Sequence, residues 1–160
     1  MITLYHGSNV EINKIDLSLS RKGKDFACGF YLNADKQQAM EMAVRTSNRM
    51  RKGSPVVTAF EFDDSILSTD ILKIKIFEDY TTEWADFILM NRKNLSEEPV
   101  HQYDIVVGPI ADDTVGVQIR RYIMGYISIE KLIEELKYRG NHSVQYFFAT
   151  ESAIKLLKKL

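Results

Sequence analysis

The chain has 160 residues, 45% of them hydrophobic, with a formal net charge of −1 and one cysteine. That length can bury a core without disulfide or metal support, and the near-neutral charge excludes a global electrostatic pull toward nucleic acid or membrane while leaving a local basic patch open. A lone Cys28 excludes an internal disulfide and a multi-cysteine zinc site.

Residues 2–5 read as a short strand, followed by a polar, irregular stretch over 9–24 that gathers Arg21, Lys22 and Lys24. Residues 29–32 read as a second strand. A helix opens at Asn33 or Asp35, with Gln38 placed for a capping box; Ala39, Met42, Ala43 and Met50 give its apolar stripe, ending before Gly53. The run 56–62 is β-branched and aromatic, and 71–76 alternates as a half-buried strand. Residues 82–94 form a helix carrying Trp84, Phe87 and Ile88, and 103–107 a buried strand ending at Gly108-Pro109. A helix from about Thr114 presents Val115, Ile119, Tyr122 and Ile123 on one face, has Asp112 and Asp113 at its N-terminus and stops at Gly125. Residues 129–138 form a helix capped by Ser128 and stopped by Gly140, 144–149 a strand, and 151–160 a lysine-rich amphipathic helix. Strands and helices mix without strict βαβ alternation, which predicts an α+β protein. There is no repeat or linker, so residues 1–160 read as a single domain. No apolar run approaches the ~18 residues of a membrane span, and residues 1–5 lack the features of a secretion signal. A cytoplasmic, bacterial-type protein with no membrane partner is expected.

Two stretches carry the chemistry: Leu-Tyr-His-Gly-Ser at 4–8 and Gly-Phe-Tyr-Leu at 29–32, the latter leading into an Ala-containing helix. With the late strand Gln145-Tyr146-Phe147-Phe148, their order resembles the ADP-ribosyltransferase superfamily, specifically the His–Tyr–Glu branch that includes diphtheria toxin and the poly(ADP-ribose) polymerases. The pattern Tyr-Asp-Ile-Val-Val-Gly-Pro-Ile-Ala-Asp-Asp at 103–113 is similar to one shared by small bacterial proteins of this fold, some encoded beside a small partner as in toxin–antitoxin pairs. The resemblance implies a split, strongly bent β-sandwich with flanking helices and an NAD cleft between two sheets. It implies an NAD-dependent mono-ADP-ribosyltransferase, a toxin held by a small antitoxin protein, that releases nicotinamide and modifies a protein or nucleic-acid acceptor. Loops 9–24 and 77–82 are candidates for acceptor contact. NAD is the substrate and no metal is called for.

Splitting the nicotinamide bond leaves an oxocarbenium-like ribose, so the site must hold the leaving group and stabilise positive charge. Tyr31 can stack on the nicotinamide ring, the backbone of Gly7 can pair with its carboxamide, His6 can bond a ribose hydroxyl, and Ser8 can add a hydroxyl contact. Gln145 stands where the branch has its catalytic glutamate. Glutamine keeps the hydrogen-bonding shape but cannot act as a general base. Three accounts follow: the nucleophile needs little activation; another carboxylate, Asp112, Asp113 or Glu151, is the base; or the protein binds NAD without efficient turnover. Gln145 as a plain exposed strand residue is a further alternative, and Asp112 and Asp113 can equally be helix caps. At the level of function the alternatives are an NAD glycohydrolase and a non-catalytic NAD-binding or interaction module.

The remaining features read as structural. Trp84 belongs to the core, Arg45, Arg49, Arg51 and Lys52 form a solvated basic face that could also meet phosphates, and His101 and His142 occupy polar loops. The three histidines lack metal-ligand spacing, and Cys28, without a neighbouring histidine, reads as a buried structural thiol.

Overall fold

In the computed structural model, residues 1–111, 113–139 and 143–160 are described, with the backbone alone at Asp113 and Arg139. Asp112, the Asp113 side chain, Gly140 and His142 therefore lie outside the described residues.

Among the described residues, seven strands form one mixed sheet: β1 (Ile2–Ser8), β2 (Phe30–Asn33), β3 (Val56–Phe62), β4 (Ile74–Ile76), β5 (Ile105–Pro109), β6 (Val144–Phe148) and β7 (Lys158–Lys159). Their order across the sheet is β4-β5-β6-β2-β1-β3-β7, with β4 and β5 parallel and every other pair antiparallel. The joins are unequal. β1 pairs with β3 through seven register pairs, from Ile2↔Phe62 to Ser8↔Val56, and β5 with β6 through five. Between β1 and β2 the register holds one pair, Tyr5↔Asn33.

Side-chain alternation explains why the strands are so apolar. In β6, Phe147 faces one hydrophobic cluster and Phe148 the other; in β5, Val106 faces the first and Ile105 and Val107 the second. Both faces of the sheet are covered, so β5 is buried throughout. Three helices cover the first face: α2 (Thr82–Lys93), α3 (Asp113–Ile123) and α4 (Ile129–Arg139). They contribute Trp84, Phe87, Ile88, Val115, Ile119, Leu132 and Leu136. The second face, built on Leu4, Phe30, Leu32, Phe60 and Phe62, is closed by Ile12, Ile15, Leu17, Leu67 and Leu72 and by the C-terminal segment. Helix α1 (Lys36–Met50) lies against β1, capped by Asp35, whose carboxylate accepts from the Gln37 N–H at 2.8 Å.

Several expectations change. β1 runs on to Ser8, so His6, Gly7 and Ser8 lie inside the strand rather than beyond it. Only Ala39 and Ala43 of the α1 stripe are buried; Met42 and Met50 are exposed, because the helix sits so close to β1 that small residues alone fit between them. The 71–76 strand is shortened to Ile74–Ile76, and Ile123 of α3 is exposed. The C-terminal helix is overturned: α5 spans Glu151–Ile154 and the chain then extends into β7, where Lys158 and Lys159 pair with Glu61 and Phe60 of β3. The edge of β3 takes the tail by backbone pairing, and Lys159 reaches Glu11 at 2.5 Å and Asn13 at 2.7 Å. Gly125 ends α3 at φ 78°, as its position predicts. No described helix is long and apolar enough to cross a membrane.

Candidate functional site

The two glycines of the opening motifs are set by packing. A Cβ on Gly7 would lie 1.8 Å from the Ala39 carbonyl oxygen and 2.8 Å from the Ala43 nitrogen, so β1 and α1 approach only because residue 7 has no side chain. A Cβ on Gly29 would lie 2.3 Å from the Phe147 ring. That glycine lets the chain enter β2 flat against β6.

His6 follows on β1. Its Nδ1 lies 2.8 Å from the Tyr31 carbonyl oxygen and its ring stacks on Phe30, centroids 4.5 Å apart. A carbonyl can only accept, so Nδ1 carries the proton. Burial, helped by the charge of Lys24 and opposed by the Tyr31 bond, holds the ring below its ordinary pKa. His6 is thus a neutral imidazole whose Nε2 is an acceptor. The hydrogen bond also ties β1 to β2 beside their one-pair join.

Tyr31 is half-buried and its phenol is fixed: the hydroxyl donates to the Ala27 carbonyl at 2.6 Å and accepts from the Phe26 N–H at 3.1 Å. Burial pushes this phenol well above its ordinary pKa, so it stays a neutral hydrogen-bonding group. Ala27 adopts φ 94° to present its carbonyl. Phe147 packs against the Tyr31 ring at 4.9 Å, tilted by 51°, and Phe26 at 6.4 Å. The Lys24 ammonium stands 4.6 Å from the ring centroid, a cation–π contact.

Gln145 lies in β6 between Asn33 of β2 and Gly108 of β5. By alternation it shares the sheet face of Phe147 and Tyr31, two positions along the strand. Its Nε2 is buried with no partner among the described residues. The reading of Gln145 as a plain exposed residue is therefore set aside. The row Tyr5–Asn33–Gln145–Gly108 crosses the sheet through the one-pair join. The structure brings His6 to the main chain of Tyr31 and places Tyr31 and Gln145 on one face, while the His6 ring sits on the Phe30 side. Ser8 stays local, its hydroxyl 3.4 Å from the Asn9 side chain. Glu151 is exposed in the first turn of α5, where an acidic group suits the helix end.

Other residues find structural roles. His101 donates from Nε2 to the Phe26 carbonyl at 2.7 Å and accepts the Tyr103 N–H on Nδ1 at 3.1 Å, which anchors the segment before Tyr31. Burial lowers its pKa as well. Asp25 is bound by Arg92 at 2.6 Å. Trp84 is fully buried and meets Tyr80 edge-on, and Tyr80 and Phe77 bring the start of the 77–82 loop into the core. Cys28 is exposed, against the expectation of a buried thiol, because the chain turns outward at Ala27. Among the described residues no group of three His, Cys, Asp or Glu side chains could hold a metal ion. Sequence reasoning passed over Lys24 as one of several loop cations. The signal available was its position directly before Asp-Phe, where a charge adjoins a residue bound for the core.

These features define an α+β protein of one mixed sheet, with a set of polar and aromatic side chains at its weakest strand join. The chain belongs to the family described as Protein of unknown function (DUF3990), whose model matches residues 2–159. No curated protein matches it.

Proposed function

We propose that this chain is an NAD-dependent mono-ADP-ribosyltransferase of the His–Tyr–Glu type with glutamine in the glutamate position. The observation that carries the reading is the buried Nε2 of Gln145, without a partner among the described residues, in the row that crosses the β1–β2 join. A buried amide without a partner costs about 1–3 kcal/mol, and a ligand oxygen would remove that cost. The same join, one register pair wide, is the feature that a split sheet with a cleft between its halves would have.

In the reaction the bond between ribose C1′ and the nicotinamide nitrogen breaks, and its electron pair leaves with neutral nicotinamide. The acceptor nucleophile bonds to C1′ and gives up its proton. Tyr31 receives the nicotinamide ring, the Gly7 backbone its carboxamide, and Gln145 a ribose hydroxyl, while His6, with its ring on the Phe30 side, fixes the main chain of Tyr31. Gln145 cannot take the acceptor's proton, and general-base help is ordinarily worth about 10²–10⁴ in rate. The reading therefore favours a slow enzyme, or an acceptor that is already a good nucleophile. Restraint by a small antitoxin protein belongs to the same proposal.

The test incubates the chain with NAD labelled in its adenosine half, followed by mass spectrometry of protein and nucleic acid. Label on a macromolecule, lost in Tyr31→Ala, is the expected result. Free ADP-ribose alone would make the protein a glycohydrolase, and NAD binding without nicotinamide release would make it a binding module.

A further inference from the structure

Helix α2 buries Trp84, Ala85, Phe87, Ile88 and Leu89, while Asp86, Met90 and Lys93 face outward. Positions 86, 90 and 93 are spaced i, i+4, i+7, so they form one row along the helix. Beside this row the end of α3 adds Tyr122 and Ile123. Together the two helices frame an open groove of about 580 Å³, with Leu89, Met90, Tyr122 and Ile123 along it and Asp86 and Lys93 two turns apart.

The groove is apolar where it should be wet. Met90 is 48% exposed and Ile123 51%, although the period of α3 puts Ile123 in line with the packed Val115 and Ile119. Met124 and Tyr126, just beyond, are exposed as well. A contiguous patch of this kind marks an interaction surface. Its two charges also lack partners. Neither Asp86 nor Lys93 has an ion pair or hydrogen bond among the described residues, whereas the neighbouring Glu83 and Arg92 are held by Lys75 and Asp25. A separation of about 10 Å along the axis keeps Asp86 and Lys93 from pairing with each other.

The order acid–apolar–base identifies the occupant. A two-fold interface requires that residue i meet j and j meet i. If two copies of α2 lie antiparallel, Asp86 of each stands opposite Lys93 of the other. The midpoint of the row then falls between Leu89 and Met90, its apolar members. A parallel arrangement would set acid against acid and base against base. Helix α1 exposes Met40 and Val44 too, but its Glu41 and Arg45 are one turn apart and spaced to interact within the helix.

We propose that this groove docks a second copy of the chain, with the two α2 helices antiparallel about a two-fold axis beside Met90. Met90 of each copy enters the groove of the other, and two Asp86–Lys93 pairs close its ends. The surface includes neither Tyr31 nor Gln145, so it stands apart from the function proposed above.

Sedimentation equilibrium of the full chain, from about 5 to about 500 μM, tests this. A monomer–dimer equilibrium is expected, and a monomer throughout overturns it, leaving the groove to a different protein. Met90→Glu should be monomeric. Asp86→Lys and Lys93→Glu should each weaken dimerisation about tenfold or more, since each turns two attractive pairs into two repulsive ones. The double variant Asp86→Lys/Lys93→Glu should dimerise as the wild type does, and the two single variants should associate when mixed. All four substitutions lie at exposed positions, and far-UV circular dichroism checks that each variant is folded. A dimer indifferent to these changes, or a double variant as weak as the singles, would place the contact elsewhere and overturn the proposal.

Discussion

At His6 a single hydrogen bond decides what the ring can offer. Because Nδ1 donates to the Tyr31 carbonyl and burial keeps the ring neutral, Nε2 can only accept. His101 is likewise neutral between Phe26 and Tyr103. Both are held below the ordinary value of 6.5, so the unfolded chain protonates first. Their contribution to stability is fully present above about pH 6.5 and is lost as the pH falls from there through the lowered folded values. Urea midpoints should therefore fall between pH 7.5 and pH 5, and His101→Gln should flatten that fall; an unchanged slope would argue against it. Gln145 makes two opposed predictions. Gln145→Leu removes a buried Nε2 that has no partner among the described residues and should raise the melting temperature by about 3 °C while abolishing NAD binding. Gln145→Glu should raise nicotinamide release by about 10²-fold; no gain would mean that the pocket does not use this position for activation. The strands that carry Tyr31 and Gln145 were legible in the sequence from their apolar and aromatic runs, whereas His6, Gly7, Tyr31 and Gln145 were singled out by the family resemblance. Lys24 was not, since nothing local says that a loop lysine will fold back over an aromatic ring.

At the scale of elements, small residues govern the closest contact. Gly7, Ala39 and Ala43 let α1 lie on β1, and a methyl at residue 7 would collide with helix backbone rather than with a side chain that can turn away. Gly7→Ala should cost about 3 kcal/mol, read from denaturant midpoints; a loss below 1 kcal/mol would mean that α1 shifts freely. The helices were readable from their periodicity, and α2, α3 and α4 fall where the apolar spacing puts them. The C-terminus was misread for a physical reason. Its lysines and leucines repeat at helical spacing, but β3 presents an open edge, and backbone pairing at Lys158 and Lys159 wins over a lysine-rich helix that would bury little. Pairing across the sheet, including the single Tyr5↔Asn33 pair, depends on contacts distant in sequence, which periodicity does not encode.

For the whole molecule, the sheet has a strong and a weak direction. Backbone amides of β1 bonded to β3 belong to a seven-pair ladder, while those turned toward β2 have one register pair between them. Hydrogen exchange should therefore alternate along residues 6–8, slow at one residue and fast at the next, and uniform protection would show a tighter join. The strand order gives this join a further consequence. One side holds β4, β5, β6 and β2, the other β1, β3 and β7. The chain crosses between them four times: from β1 to β2, β2 to β3, β3 to β4, and β6 to β7. The halves are stitched by covalent thread even where hydrogen bonds are few. They can tilt against each other without parting, and neither can be expressed alone as a continuous segment. A protease cut in the exposed loop before β5 should leave two fragments that stay together, each holding strands the other needs.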